Sequence, residues 1–341
     1  MEVFRRSQEP ITISGIDFDG TSGWIQGGVS NKIVVKKFNA SLLSPLVSIY
    51  ENERPVDWSK QFGRKGPMIV EIGSGLGEFI VHRAEQFPKQ NFVGIEYDWP
   101  RVYKTLRRIS RFNIKNVRLL NVDARVVFER LFLPVTIDSV VALFPCPWPK
   151  RSHIKHRLFN REFLQLINSR LADHGELKIV TDFYPYLEWI SDEIPAQAFR
   201  YSERKIPPQF DTKFERRWQG QGQNEFWELL LTKQSSVAIP LKEDIILKEF
   251  SISHFNAQSL TLVDEKKDAV ILFKEHFFDS RKSRAMIHAI VVEKNLTQHF
   301  WIAVVKQSDH WMIRPLEGCL FIPTPGIQRA LELVREQSSI S

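Results

Sequence analysis

Residues 67–182 alternate short apolar runs with stretches of helical periodicity, and this alternation narrows the folds open to the chain more than any other feature. A strand that is apolar throughout must be buried on both faces, which successive βα units achieve by laying helices over a parallel sheet. PMIVEIG reads as the first such strand, GEFIVHRAEQF as a helix and NFVGIEYD as the second strand. RVYKTLRRISRF is a basic helix with Val102, Leu106 and Ile109 on its apolar side, followed by the strand VRLLNVDA. IDSVVALFPCPW is a fourth strand running into a proline-rich loop. Leu158 to Leu171 is a helix with Phe159, Phe163, Leu166 and Ile167 at helical spacing, and ELKIVTD is the fifth strand. The expected class is α/β, a mostly parallel sheet with helices on both faces.

A chain of 341 residues is long enough for more than one core. Residues 1–40 are rich in Gly, Ser and Asn around short alternating stretches, which predicts a small β-rich appendage. The domain built on the βα units then covers 41–233, and QSSVAIP reads as a linker at 234–240. Beyond it KEFSISHF, SLTLV, DAVILF, AMIHAIVVEK, HFWIAVV and HWMIRPL, closed by a helix near Pro325 to Arg335, predict an antiparallel α+β accessory domain over 241–341. Trp301 and Trp311 are read there as packing residues, and Arg281, Lys282 and Arg284 as a solvated turn.

No apolar run approaches the eighteen or so residues of a membrane span, and the start MEVFRRSQEP lacks the apolar stretch of a secretory signal. A cytoplasmic protein is expected. Cys146 and Cys319 lie far apart without Cys-x-x-Cys or His-rich company, so neither a disulfide framework nor a metal site is expected. The net charge of +7 is unevenly spread. Arg101 to Arg118 holds seven Lys/Arg and no acid, and Lys150 to Arg161 five with His153 and His156. After Lys233 the chain has 13 basic and 13 acidic residues, so the excess belongs to the first 233, where a basic face could meet phosphates.

VEIGSGLGEF is a strand ending in Glu71 that turns through Gly73, Gly75 and Gly77 into a helix, a device that lets backbone approach a ligand. Glu96 ends the next strand, where its oxygens can accept from ribose hydroxyls, and Asp123 follows the third strand, placed to accept from an adenine amino group. A nucleotide-type cofactor follows. The dinucleotide fingerprint would put its third glycine at position 78, which here is Glu. A carboxylate opposes a diphosphate but suits a sulfonium cofactor without phosphate, so S-adenosylmethionine leads over a nicotinamide, a flavin, or an empty turn.

Ligands of open α/β sheets sit at the carboxyl ends of the strands, and the fourth strand delivers LFPCPWPKRSHIKHR to that edge. There the sequence resembles a known family. VEIGSGLGEF, FVGIEYD, the FPxPWPKxxHxKxR segment, IVTDFYPY and TKFERRWQGQGQNEFWELL stand in the order and spacing of the bacterial tRNA (guanine-N7)-methyltransferases, over about residues 60–233. The resemblance implies a class I methyltransferase (Rossmann-like) fold, S-adenosylmethionine as donor and the variable-loop guanosine of tRNA as acceptor. It implies cofactor roles for Glu71, Glu96 and Asp123, and substrate contacts at Lys150, Asp182, Thr212, Lys213, Phe214 and Glu215. It also implies an RNA contact over Ser152, His153, Ile154, Lys155, His156 and Arg157.

One departure matters. The family pattern is FPDPW, whereas this chain has Phe144, Pro145, Cys146, Pro147 and Trp148, so Cys146 stands where the site aspartate would, in the cofactor cleft and beside Asp182 as a candidate catalytic residue. Three readings stay open. In the first, activity is retained, because guanine N7 has an in-plane lone pair and no proton to remove. Positioning and charge complementarity then suffice, with Asp182 and Glu215 accepting from the donor edge of guanine. In the second, Cys146 is the thiolate nucleophile of an RNA cytosine-C5 methyltransferase. In the third, the protein binds RNA or cofactor without catalysis, and Cys146 is a small hydrophobe.

Overall fold

The computed structural model describes residues 40–338. The expected β-rich appendage at 1–40 lies, but for Ala40, outside them. After a 3-10 turn at Ala40–Leu43 the chain runs through α1 (Trp58–Phe62), β1 (Met68–Ile72), α2 (Glu78–Gln86), β2 (Asn91–Ile95), α3 (Trp99–Arg111), β3 (Val117–Leu120) and α4 (Ala124–Arg130). It continues through β4 (Ile137–Leu143), a 3-10 turn at Arg151–His156, α5 (Arg161–Arg170), β5 (Leu171–Thr181) and α6 (Tyr184–Glu193). Then come β6 (Phe199–Ile206), α7 (Lys213–Gln219) and β7 (Phe226–Lys233). These strands form one sheet in the order β3-β2-β1-β4-β5-β7-β6. The first five are parallel, and β7 pairs antiparallel with both β5 and β6. The mostly parallel sheet expected from the sequence is present.

Alternation along the strands splits the core in two. Val70, Val93 and Leu120 point into the cluster built with α1, α4, α5 and α6, whereas Phe92, Val117 and Leu119 pack under α2 and α3. Helices therefore cover both faces. Val102, Leu106 and Ile109 of α3 are buried as their spacing predicts, with Thr105 between them. The sequence reading stopped at the fifth strand. β6 is an edge strand with only its two ends buried, so FRYSERKI carries no apolar alternation that would reveal it.

A second sheet, β8-β13-β12-β11-β10-β9, consists of β8 (Phe250–Ile252), β9 (Glu265–Lys266), β10 (Val270–Asp279), β11 (Arg284–Glu293), β12 (Leu296–Gln307) and β13 (His310–Pro315). All its pairings are antiparallel, and α8 (Pro325–Ser338) packs Ile327, Ala330, Leu331 and Val334 onto one face. SLTLV, expected among its strands, is not one. Its Val263 exchanges both backbone hydrogen bonds with the Gln337 amide of α8, so the run is tied to a helix instead of a neighbouring strand. Segment 234–240, expected as a linker, is extended and docked: the fully buried Arg170 donates to the carbonyls of Ile239 (2.8 Å) and Pro240 (3.3 Å), and Asn168 accepts from Val237 N–H.

Candidate active site

β1 and β4 lie side by side while their continuations run to opposite edges, and at that switch point a crevice opens beyond the carboxyl ends of the strands. Glu71 sits in β1 opposite Gly94 of β2 and Val141 of β4. It is 4% exposed, and its Oε2 has no hydrogen-bond partner. Burial, reinforced by Glu96, pushes its carboxyl up to about 8. The Ser74 hydroxyl is likewise buried and unpartnered. Both residues line one cleft, so these are polar groups that a ligand there could pair, each costing about 1 to 3 kcal/mol if nothing does.

The turn after β1 is shaped for that ligand. Gly73 and Gly75 have φ of 74° and 55°, a region that disfavours side chains, and the space a Cβ would take at Gly73 is empty to 4 Å. Glu96 fixes the turn from below, its Oε2 accepting from Gly75 N–H (3.0 Å) and its Oε1 from Asp98 N–H (2.9 Å). Gly77 serves a different end: a Cβ there would meet Thr105 Cγ2 at 2.3 Å, so its missing side chain is what lets α3 pack against the start of α2.

These residues line one cleft of about 850 Å³ that reaches from Glu71, Gly73, Gly75 and Glu96 to Cys146, His156, Asp182, Thr212, Lys213 and Phe214. Cys146 is exposed there, on a loop in which Phe144 and Trp148 take left-handed φ of 54° and 44°. Non-glycine residues in that region are held by their surroundings and gather at functional sites. The holds are visible: Phe144 N–H donates to Val180 O (2.7 Å), its ring meets Phe226 edge-on at 5.0 Å, and Trp148 packs against His153 and His156. Asp182 follows β5 at the cleft wall, and partial burial raises its carboxyl pKa.

Of the residues named from the sequence, Asp123, Glu215 and Arg157 are occupied by contacts within the fold. Asp123 caps α4 by accepting from Arg125 N–H and is paired with the Arg125 guanidinium at 2.8 Å, outside the cleft lining. Glu215 is 1% exposed and accepts from the N–H groups of Gln209, Phe210 and Asp211, so its carboxylate is occupied in shaping the loop before α7. Thr212 caps the same helix by accepting from Glu215 N–H. Lys150 is exposed at the head of the Arg151–His156 turn, and Ser152, Lys155 and His156 are exposed along it with His153 and Ile154 half-buried. Arg157 is 6% exposed; it donates to Pro147 O (2.9 Å) and lies over the rings of Tyr186 and Trp189. It anchors the proline-rich loop.

The sequence reading did not single out Phe79, Lys104, Phe183 and Trp218, which also line the cleft. They come from four separate segments, and no local pattern joins them. The Thr212 to Glu215 cap was readable as a Thr-x-x-Glu helix start. Among the described residues no helix is long and apolar enough to cross a membrane, and no group of three His, Cys, Asp or Glu could hold a metal.

A family model described as "Putative methyltransferase" matches residues 65–228. A tRNA (guanine-N(7)-)-methyltransferase of Chlorobium phaeobacteroides is 42% identical over 168 residues, which cover 49% of this chain and 82% of that protein. Proteins of the same name from Thermotoga maritima and Aquifex aeolicus are 29% and 28% identical over 83% and 78% of this chain and 93% and 92% of theirs. Matches of that length take in part of the second sheet as well as the first.

Proposed function

The chain belongs to the tRNA (guanine-N7)-methyltransferase family, and we propose that it moves the methyl group of S-adenosylmethionine to N7 of a variable-loop guanosine in tRNA. What carries the reading is the continuity of one cleft. The buried Glu71 carboxyl, with one unpartnered oxygen, lies beside an open glycine turn at one end, and Cys146, Asp182 and Thr212 to Phe214 at the other. The residues fit the cofactor: Glu71 offers a free oxygen in an acidic corner, as a cationic and phosphate-free ligand requires, and Glu96 would accept from its ribose hydroxyls. When bound, S-adenosylmethionine supplies the methyl group as a sulfonium electrophile. The chain's own residues orient the base and exclude water.

Guanine presents N1–H and an exocyclic amine as donors, and Asp182 is a carboxylate at the cleft wall suited to accept from them. N7 carries no proton, so no general base is required at position 146, and positioning does most of the work. Lys104 in the cleft wall and the exposed Arg107 and Arg111 of α3, with Lys150, Ser152, Lys155 and His156, are the groups offered to the RNA backbone. This substrate assigns the protein to the cytoplasm.

Cys146 decides between the three readings of the site. Methyl incorporation into unmodified tRNA, with the product nucleoside identified, is expected to show weak N7-methylguanosine formation by the unaltered protein. Cys146→Ser should leave the rate much as it was, and Cys146→Asp should raise it by about ten to a hundredfold, the worth of one charged hydrogen bond. Formation of 5-methylcytidine that both substitutions abolish would establish the covalent cytosine reaction. Silence in all three versions would leave a binding protein.

A further inference from the structure

α7 carries the segment from Thr212 to Phe214 that lines the cleft, yet of its own residues only Glu215 is buried. Its apolar hold is Trp218, half-buried against the cluster of Val141, Leu143, Val180, Ile206 and Phe226. Its N-terminal end, which faces the cleft, is held by Glu78, the first residue of α2, whose side chain is 14% exposed and lines the same cleft. Glu78 Oε2 accepts from the backbone N–H of Lys213 at 2.5 Å, satisfying a donor that the helix start would otherwise leave open. Its Oε1 takes the Arg216 guanidinium at 2.5 Å and lies 3.8 Å from that of Arg108. One carboxylate thus joins α2, α3 and α7. Phe79, the next residue, meets Phe210 edge-on at 5.9 Å and adds an apolar contact to the polar ones.

We propose that Glu78 is a positioning residue that sets the substrate-facing segment against the cofactor-facing one. It begins the helix that the Gly73 to Gly77 turn leads into, so the carboxylate holding α7 is covalently continuous with the wall of the cofactor end. The distance between methyl donor and base is then fixed by side-chain geometry as well as by the sheet. A Glu at this position opposes a diphosphate, as expected from the sequence. In the structure it also has a second task, which the sequence does not reveal.

The kinetic part of the test rests on the tRNA methylation reading, and the other parts do not. Glu78→Gln keeps an acceptor for Lys213 N–H and loses the ion pairs, Glu78→Ala loses both, and Arg216→Ala loses its pair with Glu78 together with its bonds to Asp211. Amide hydrogen exchange over residues 209–219 of the free protein should quicken about tenfold or more in Glu78→Ala, about the loss of one charge-assisted hydrogen bond, and less in Glu78→Gln. Affinity for S-adenosylmethionine by calorimetry should stay within about twofold in Glu78→Gln, while KM for tRNA rises about tenfold. Glu78→Ala with Arg216→Ala should fall short of the sum of the two single effects, because the pair between them is counted in both. Lost cofactor affinity with unchanged exchange would overturn the proposal and make Glu78 a direct cofactor contact. Faster unfolding with both KM values unmoved would overturn it in favour of plain packing. If the unaltered protein transfers no methyl group to tRNA, the function proposal fails by itself, and exchange with calorimetry still decides the role of Glu78.

Discussion

Burial and the neighbouring Glu96 hold the Glu71 carboxyl in its protonated form at neutral pH, with its midpoint at about 8. Below the ordinary value of 4.5 it is protonated whether the chain is folded or not. As pH rises from there to about 8 the unfolded chain ionises while the folded one keeps its proton, so this group's contribution to stability falls through that window. A cationic ligand against Glu71 reverses the preference and favours the carboxylate. Binding of the proposed cofactor should therefore expel a proton near pH 7 and tighten as pH rises towards 8. Calorimetry in two buffers of different ionisation enthalpy measures the release directly. The unaltered protein should give different apparent enthalpies in the two, and Glu71→Gln should give the same one. Equal enthalpies from the unaltered protein would mean that no cation meets this carboxylate.

At the scale of elements, the basic run after β4 separates into two jobs that its composition does not distinguish. Lys155 is exposed, whereas Arg157 is buried under two aromatic rings with its Nε on Pro147 O. Lys155→Ala should reduce the slope of log affinity for tRNA against log salt by roughly one, the signature of one lost phosphate contact. Arg157→Ala should leave that slope unchanged and cost about 2 kcal/mol of stability, since it removes a charged hydrogen bond and its stacking. Denaturant midpoints and salt titrations of the two variants separate the jobs. The reason the sequence could not do so is physical: a lysine on the 3-10 turn and the arginine that follows its last residue face different environments, and only the positions of Tyr186 and Trp189, some thirty residues on, decide which is covered. The parallel strands were legible because continuous apolar runs leave few alternatives. Glu71 and the glycine turn were legible because their chemistry is local. The tasks of Glu78 and Glu215 were not, because each carboxylate is defined by backbone N–H groups brought to it by the fold.

Across the whole molecule, the two sheets are joined by charge as well as by apolar packing. Asp244, on the chain between them, pairs with the Arg54 guanidinium and lies 3.5 Å from Arg130, two cations whose side chains are 8% and 7% exposed. Removing one partner of a buried pair leaves the other charge stranded, so Asp244→Ala should cost about 3 kcal/mol, read as a shift of the denaturant midpoint. Glu317→Ala, which breaks an ion pair whose acid is 81% exposed, should change stability by no more than about 0.5 kcal/mol. Equal effects would show that the junction is held by its apolar contacts alone. A chain ending after Lys233 would keep Arg54, Arg130 and Arg170 and lose Asp244 from the first two and the carbonyls of Ile239 and Pro240 from the third. Removing the second sheet would therefore strand three buried guanidinium groups at once. The first sheet's domain is thus made to be covered on that side, by one carboxylate and two backbone carbonyls that only the continuing chain supplies.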